Sequence, residues 1–145
     1  MPIVYHEKSK EFHIYNDELS YIIHIMENGQ PENLYYGKRL RDRESFAHLH
    51  EELPRPLTPL AVPEPTELSM LHVKHEYPPY GAADFRSPAF QPRQETGSKI
   101  TDFRCLSHEM AQGNRPISPL PPSYSRTAEE VDSPLSSLYA HLTKT

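Results

Sequence analysis

One short run limits what this chain can fold into more than any other: EYPPYGAADFRSPAF, at residues 76–90. Each of its prolines fixes its own φ and pushes the preceding residue out of the helical region. The run therefore has a single backbone course and cannot be helical. Strand-like sequences lie on both sides of it, so we expect a rigid turn between strands.

The composition also disfavours helix and allows one small domain. The chain has 145 residues, of which 16 are proline and 36% are apolar, a low apolar fraction for a self-contained globular domain. The net charge is −5, so no overall field attracts nucleic acid or an anionic membrane surface. No apolar run is long enough to span a bilayer. We therefore expect neither nucleic acid nor a membrane as a partner.

The cysteine content and the first residues indicate a reducing compartment. Cys105 is the single cysteine, so an internal disulfide is impossible. The sequence has no Asn-x-Ser/Thr site, and its start lacks the basic end and apolar block of a signal peptide. These features favour a cytoplasmic setting.

Residues 3–37 have the pattern of an antiparallel meander. Phe12 and Ile14 alternate with polar neighbours, and residues 19–26 show the same two-residue period. Asn28-Gly29 predicts a hairpin, because both residues accept positive φ. Residues 34–36 return as a strand that Gly37 is expected to end.

The rest of the chain alternates between strands and proline-rich segments. Residues 38–52 predict a short helix or an irregular loop, and residues 53–65, with five prolines, predict an extended loop. Residues 68–75, 89–93 and 98–112 predict strands, with a turn at 95–97. The sequence thus divides into a β-domain at residues 1–115 and a degenerate tail at residues 116–145. The Pro/Ser-rich composition of the tail predicts a loosely held or disordered segment.

Several sequence runs together resemble glycoside hydrolase family 36, the retaining α-galactosidases. In chain order they are KEFH at residues 10–13, NGQ at 28–30, LYYGK at 34–38, EYPPYGAADFRSPAF at 76–90, GSKITDFR at 97–104 and LPPSY at 120–124. No single run is highly specific, but the order is kept over about the first 124 residues. The sequence is identified on these runs as a member of that family.

The resemblance implies an all-β fold: an antiparallel β-sandwich, part of a supersandwich, that is incomplete here. In the family this region precedes a (β/α)₈ barrel, and the barrel carries two catalytic aspartates. Retaining hydrolysis needs carboxyl groups about 5–5.5 Å apart. None of the five aspartates lies in a motif that resembles the catalytic ones; they are Asp17, Asp42, Asp84, Asp102 and Asp132. We assign no catalytic residue, metal or cofactor, and expect the chain alone to be inactive.

Two hypotheses on function follow. In the first, the chain is the N-terminal fragment of an enzyme that hydrolyses terminal α-D-galactosides such as melibiose and raffinose. In the second, it is a stand-alone, non-catalytic sandwich module that binds carbohydrate or a partner protein. An incomplete sandwich exposes strand edges, so we expect self-association or a homo-oligomer.

The resemblance also implies a loop that reaches a neighbouring subunit's sugar site in tetrameric members. By position this loop is residues 51–66, where Pro54 and Thr66 stand in place of the family's aspartate and arginine. The adjacent Glu52 and Arg55 are the candidate substitutes.

The signature run at residues 76–90 is expected to be structural. A carboxylate in a Gly-rich turn accepts backbone N–H bonds, and an arginine beside it pairs with a carboxylate. The residues assigned to this turn are Tyr77, Tyr80, Gly81, Asp84 and Arg86.

Other reactive side chains receive structural interpretations as well. His48 with His50, or His72 with His75, lack a third ligand, so we predict no metal site. Cys105 is expected to be a small buried hydrophobe. The cluster at residues 39–43 could bind phosphate, but an ion-paired turn with Asp42 and Glu44, or a solvated face, is the favoured interpretation.

Overall fold

The computed structural model describes residues 2–50, 73–79, 87–89, 91–101, 103–112 and 136–144. Within them the chain forms six strands and one 3₁₀ turn, in two antiparallel sheets of four and two strands. The strands are β1 (Ile3–His6), β2 (Glu11–Tyr15), β3 (Leu19–Ile25), β4 (Pro31–Lys38), β5 (Phe103–Gln112) and β6 (Ser136–Lys144); the 3₁₀ turn is Ala47–Leu49. The all-β prediction is confirmed.

The first sheet is the predicted meander, in the order β1-β2-β3-β4. Its β3–β4 hairpin turns where Asn28-Gly29 predicts it. Of these two residues, Gly29 alone has a positive φ, 84°. The Met26 amide donates to the Gln30 carbonyl at 3.0 Å, and the Gly29 amide donates to the Met26 carbonyl at 2.9 Å. The loop therefore has three residues, with glycine in the left-handed position.

Strand β4 is longer than predicted at both ends. It begins at Pro31, because a proline is tolerated at the first position of a strand. It continues through Gly37 to Lys38. A Cβ on Gly37 would lie 2.7 Å from the Tyr35 hydroxyl oxygen, which donates to the Lys38 carbonyl at 3.0 Å. The lack of a side chain at Gly37 therefore leaves room for the Tyr35 ring to lie over that position of the strand.

Both faces of the meander are covered, at least in part. On one face Tyr5 and Phe12 contact the His108 ring of β5, with ring centroids 4.4 and 4.8 Å away. The other face lies under residues 39–50, which we call the strap. Phe46 of the strap is 1% exposed and packs with Ile22 and Leu34.

Residues 73–76 run along the edge of β4. The Asn33 amide donates to the Lys74 carbonyl at 2.7 Å, and Glu32 and His75 form an antiparallel bridge. The predicted strand at residues 68–75 is described only from Val73 onward, and there it makes a single bridge rather than a ladder.

Two predicted elements differ from the structure. The prediction of a strand at residues 89–93 is wrong, since the described residues of that range, 89 and 91–93, form no strand. Pro92 has no N–H to offer a ladder, and Gln94 instead bonds the Ser98 carbonyl in the predicted turn. The strand predicted over residues 98–112 begins only at Phe103.

Part of the predicted tail is a strand. β6 (Ser136–Lys144) pairs antiparallel with β5, with Phe103 opposite Lys144 and Gln112 opposite Ser136. Residues 113–135 lie outside the described residues.

Candidate functional site

The sequence-predicted site residues lie largely outside the described residues. This holds for Glu52 and Arg55 of the loop and for four of the five turn residues, Tyr80, Gly81, Asp84 and Arg86. Tyr77 is described and is 42% exposed.

The described ends of the signature run are tied to the sheet and to each other. The Glu76 amide donates to the Pro31 carbonyl at 3.0 Å, and the Ala89 amide donates to the Pro78 carbonyl at 3.0 Å. Asn33 donates from its side chain to the Glu76 carboxylate at 3.4 Å. These bonds favour the architectural role expected for the run.

An apolar cleft of about 270 Å³ lies between the meander and β5. Its walls are mainly aliphatic and aromatic, with a few polar groups among them. The lining residues are Phe12, Ile14, Tyr21, Ile23, Ile25, Pro31, Glu76, Tyr77, Cys105 and His108.

Two ionisable groups of the cleft are shifted toward their neutral forms. Burial, together with a hydrogen bond to Glu76, raises the pKa of the Tyr21 hydroxyl well above its usual range. Burial also raises the pKa of the Cys105 thiol, against a weaker opposing hydrogen bond at the Ser107 backbone. A raised thiol pKa disfavours the nucleophilic thiolate. Cys105 is only partly buried, so the prediction of a buried side chain at this position is wrong.

The opposite face of the meander contains a buried polar layer beneath the strap. Glu11, His13, Ser20 and Glu32 are each at most 4% exposed. Each meets a hydrogen-bonding partner, as buried polar groups must. The layer was not predicted, because a two-residue alternation does not show which later segment of the chain will cover a polar face. The recurrence of histidine and glutamate on that one face was the available signal.

At one end of this layer an aspartate, a histidine and a serine form a chain of hydrogen bonds. His13 Nδ1 lies 2.7 Å from Asp42 Oδ1, and His13 Nε2 lies 2.9 Å from Ser20 Oγ. This is the order of a hydrolase triad. Yet His13 and Ser20 are 0% exposed, and the Ser20 hydroxyl already accepts the Leu40 amide at 2.9 Å. A substrate cannot reach the serine, so the series holds the strap in place.

Asp42 also binds His6, whose Nε2 lies 3.1 Å from Oδ1. Burial acts to raise the pKa of Asp42, but the hydrogen bonds and charges of His13 and His6 outweigh it, so the pKa is lowered. The predicted ion-paired turn is therefore wrong for Asp42, because its carboxylate faces two histidines. Arg39 instead lies 3.6 Å from Asp17 and over the Tyr15 ring at 4.4 Å.

Two further carboxylates anchor the rest of the strap. Glu11 accepts the Phe46 amide at 2.8 Å and the Ser45 hydroxyl at 3.2 Å. Glu32 lies between two imidazoles, with the Nδ1 atoms of His50 and His24 at 2.9 and 3.2 Å. Among the described residues no group of three His, Cys, Asp or Glu side chains could hold a metal ion.

An open depression of about 530 Å³ lies on the outer side of the strap, lined by Leu40, Arg41, Asp42, Arg43, Phe46 and His48. Arg43 Nη1 stands 3.5 Å from the His48 ring nitrogens. His48 and His50 face different partners, since His48 lies beside Arg43 and His50 beside Glu32. Over the residues described, no helix is long and apolar enough to cross a membrane.

Two solved structures with this arrangement are alpha-galactosidases. The alpha-galactosidase from Lactobacillus brevis matches with a TM-score of 0.84 at 30% identity, over 98% of this chain and 19% of that one. The GH36 alpha-galactosidase AgaB from Geobacillus stearothermophilus matches with a TM-score of 0.78 at 31% identity, over 98% of this chain and 18% of that one. The fold is thus the N-terminal β-sandwich region found in α-galactosidases.

The sequence comparisons give the family. The model of the glycosyl hydrolase family 36 N-terminal domain matches residues 29–143, and the chain belongs to that family. Alpha-galactosidase AgaA of Geobacillus stearothermophilus is 32% identical over 132 residues, which are 91% of this chain and 18% of the relative. The chain thus spans less than a fifth of these relatives' length, and the resemblance stated from its motifs is confirmed.

Proposed function

We propose that this chain supplies the N-terminal sandwich region of a retaining α-galactosidase that acts on terminal α-D-galactosides such as melibiose and raffinose. The match to the family model over residues 29–143 is the observation that supports this most directly. Solved relatives that align with nearly the whole chain are α-galactosidases, and one was solved in complex with raffinose.

The described carboxylates favour a non-catalytic role for the chain alone. A retaining pair needs one carboxylate free to attack the sugar and a second to transfer a proton. The buried carboxylates Glu11 and Glu32, and the exposed Asp42 beside them, are instead bound to protein donors of the strap and the meander. We therefore propose that both catalytic carboxylates belong to the part of the enzyme outside these 145 residues.

A chimera tests this proposal. Residues 1–145 would replace the aligned N-terminal region of AgaA, and both the chimera and the isolated chain would be assayed with a chromogenic α-galactoside. We expect hydrolysis by the chimera and none by the isolated chain. A folded chimera without activity would contradict the proposed role, and turnover by the isolated chain that an aspartate substitution abolishes would contradict the absence of catalysis.

The proposal includes a homo-oligomer in a cytoplasmic setting. Apolar side chains are exposed on the described surface, among them Tyr36 (69%), Leu106 (68%) and Ile100 (61%), and self-association would cover them. The free Cys105 suits a reducing compartment. Sedimentation velocity over a concentration series would test the oligomer; a monomer at all concentrations argues against it.

The apolar cleft favours a second candidate, a stand-alone carbohydrate-binding module. Tyr77 offers a partly exposed ring and Glu76 a carboxylate beside it, which are the group types that stack on and hydrogen-bond a sugar. Chemical-shift changes confined to the cleft on titration with melibiose, but not with sucrose, would support this reading. No change with either sugar would remove it.

A further inference from the structure

The loop of the β3–β4 hairpin contains a dipeptide with a reactivity of its own. Asn28-Gly29 is the single Asn-Gly pair among the 145 residues, since Asn16, Asn33 and Asn114 precede residues with side chains. Asparagine is thermolabile because the following backbone nitrogen can attack its side-chain carbonyl carbon, and glycine puts no side chain in the way of that attack. The pair that forms the turn is therefore also the least hindered asparagine of the chain.

The folded hairpin holds both of the groups that would react. The Asn28 side-chain oxygen accepts the Gln30 amide at 3.0 Å, and its side-chain nitrogen donates to Gln30 Oε1 at 2.9 Å. The Gly29 amide, whose nitrogen is the nucleophile, donates to the Met26 carbonyl at 2.9 Å. The attack needs the side chain to turn toward that nitrogen and the nitrogen to lose its proton. Both steps break hydrogen bonds of the turn.

The loop is also closed by buried residues at its ends. Met26 is 2% exposed and Gln30 is 3% exposed, and the Met26 amide donates to the Gln30 carbonyl at 3.0 Å. Opening the loop exposes both residues and breaks their backbone bond, so the open conformation is rarely populated. Asn28 and Gly29 themselves are partly exposed, so water is at hand for a hydrolysis there.

We propose that Asn28 is a site of spontaneous deamidation that the folded hairpin suppresses. In the open hairpin the Gly29 nitrogen bonds to the Asn28 side-chain carbonyl carbon, and the side-chain nitrogen leaves with the displaced proton as ammonia. Water then opens the resulting succinimide ring at one of its two carbonyl carbons, which gives aspartate or isoaspartate. Water is the co-reactant, and nothing is oxidised or reduced. The site is independent of the proposed enzymatic role.

The isoaspartate product would loosen the contact between the hairpin and β5. The Cys105 amide of β5 donates to the Gly29 carbonyl at 2.7 Å, and a Cβ on Gly29 would lie 3.4 Å from Arg104 Cβ, so the two segments are close. Isoaspartate routes the main chain through the former side chain and inserts one methylene group before Gly29. The Gly29 carbonyl then loses its position opposite Cys105. Aspartate keeps the original main chain and is expected to leave this bond in place.

Peptide mapping by mass spectrometry on the full chain tests the suppression. The chain would be kept in mildly alkaline buffer with and without a denaturing concentration of urea, and the deamidated fraction at each asparagine would be followed over time. We expect Asn28 to react at least about tenfold more slowly without urea than with it. In urea we expect Asn28 to react faster than Asn16, Asn33 and Asn114.

A matched pair of variants isolates the hydrogen bonds of the hairpin. Gln30→Ala removes the side-chain acceptor of Asn28 and is expected to speed the reaction without urea about fivefold. Gln94→Ala makes the same chemical change beside the turn at residues 95–97, where the Gln94 side chain donates to the Ile100 carbonyl at 2.6 Å. This control is expected to leave the rate at Asn28 unchanged.

Amide hydrogen exchange tests the effect on β5. The isoaspartate form, separated from the unmodified chain by chromatography, is expected to lose about tenfold more protection at the Cys105 amide than at the Ile25 amide, which bonds the Lys10 carbonyl in the meander. Asn28→Asp has the charge of the product without the additional methylene group, and it should keep the protection of Cys105. An isoaspartate form with full protection at Cys105 would remove the proposed coupling to β5.

Three results would overturn the suppressed site. Equal rates with and without urea would mean that the fold gives Asn28 no protection. A rate in urea no higher than that of the other asparagines would mean that the Asn-Gly pair is not a preferred site. Equal acceleration by Gln30→Ala and Gln94→Ala would mean that overall stability, rather than the hairpin bonds, sets the rate. Because the comparison in urea uses the unchanged chain, it decides even if Gln30→Ala does not fold.

Discussion

The two faces of the meander are covered in opposite ways. The face that carries Phe12, Tyr21 and Ile23 is the more apolar, yet it lines an open cleft. The face that carries Glu11, His13 and Glu32 also carries the apolar Ile22 and Leu34, and the strap buries all five side chains. Burial here follows the segment of chain that is available to cover a face as well as the polarity of that face.

The covering segments also differ in how far along the chain they lie. The strap follows β4 directly, so the polar face is closed by its nearest neighbour in sequence at little cost in loop closure. Among the described residues the apolar face meets Glu76 and Tyr77, and β5 some sixty residues after β4, and the cleft remains open between them. An open apolar face is what a sandwich presents when part of its second layer is missing, in keeping with a chain that spans less than a fifth of its relatives.

The largest effect that distinguishes the two faces is expected from Phe46→Ala. Phe46 is the buried apolar side chain of the strap. Truncating a buried phenylalanine to alanine lowers the free energy of unfolding by about 3–5 kcal/mol. Urea unfolding would measure the loss, with Phe46→Leu as a milder version if the alanine variant does not fold. Leu106→Ala, at a side chain that is 68% exposed, should change the free energy of unfolding by less than about 0.5 kcal/mol.

Two adjacent isoleucines compare the faces directly. Ile22 is fully buried under the strap, and Ile23 lies on the cleft side and is partly exposed. We expect Ile22→Ala to lower the free energy of unfolding by about 2–5 kcal/mol. Ile23→Ala should cost roughly half as much, because less of its surface leaves water on folding. Equal losses would mean that the cleft is closed in solution.

Local signals made much of this fold predictable. The alternation in β2 and β3, together with Asn28-Gly29, located the meander and its hairpin, because a half-buried strand and a tight turn are short-range features. The strap was not predictable in the same way. Its position depends on contacts such as His6 with Asp42 that join residues far apart in sequence. The site residues Glu52 and Arg55 came from family resemblance and stay predictions.

A third, smaller effect tests the buried carboxylate of the polar face. Glu11→Ala removes the acceptor of the Phe46 amide and leaves a buried N–H unsatisfied, at a cost of about 1–3 kcal/mol. Glu11→Gln keeps one acceptor oxygen and should cost clearly less. Thermal or urea unfolding would rank the two variants, and an equal cost for both would show that the charge, rather than the hydrogen bond, is what matters.

The smallest effect is expected on the apolar face at high pH. The pKa of Tyr21 is raised by burial and by its bond to Glu76, so the folded chain holds this proton more tightly than the unfolded chain. Its contribution to stability is complete below the ordinary tyrosine pKa of about 10 and is lost as pH rises through the raised value. The free energy of unfolding should therefore fall from about pH 10 upward, and Tyr21→Phe should weaken that dependence. Tyr36→Phe, at an exposed ring, is the control. An unchanged alkaline slope in Tyr21→Phe would mean that water reaches the Tyr21 hydroxyl and that the cleft is wetter than its apolar walls suggest.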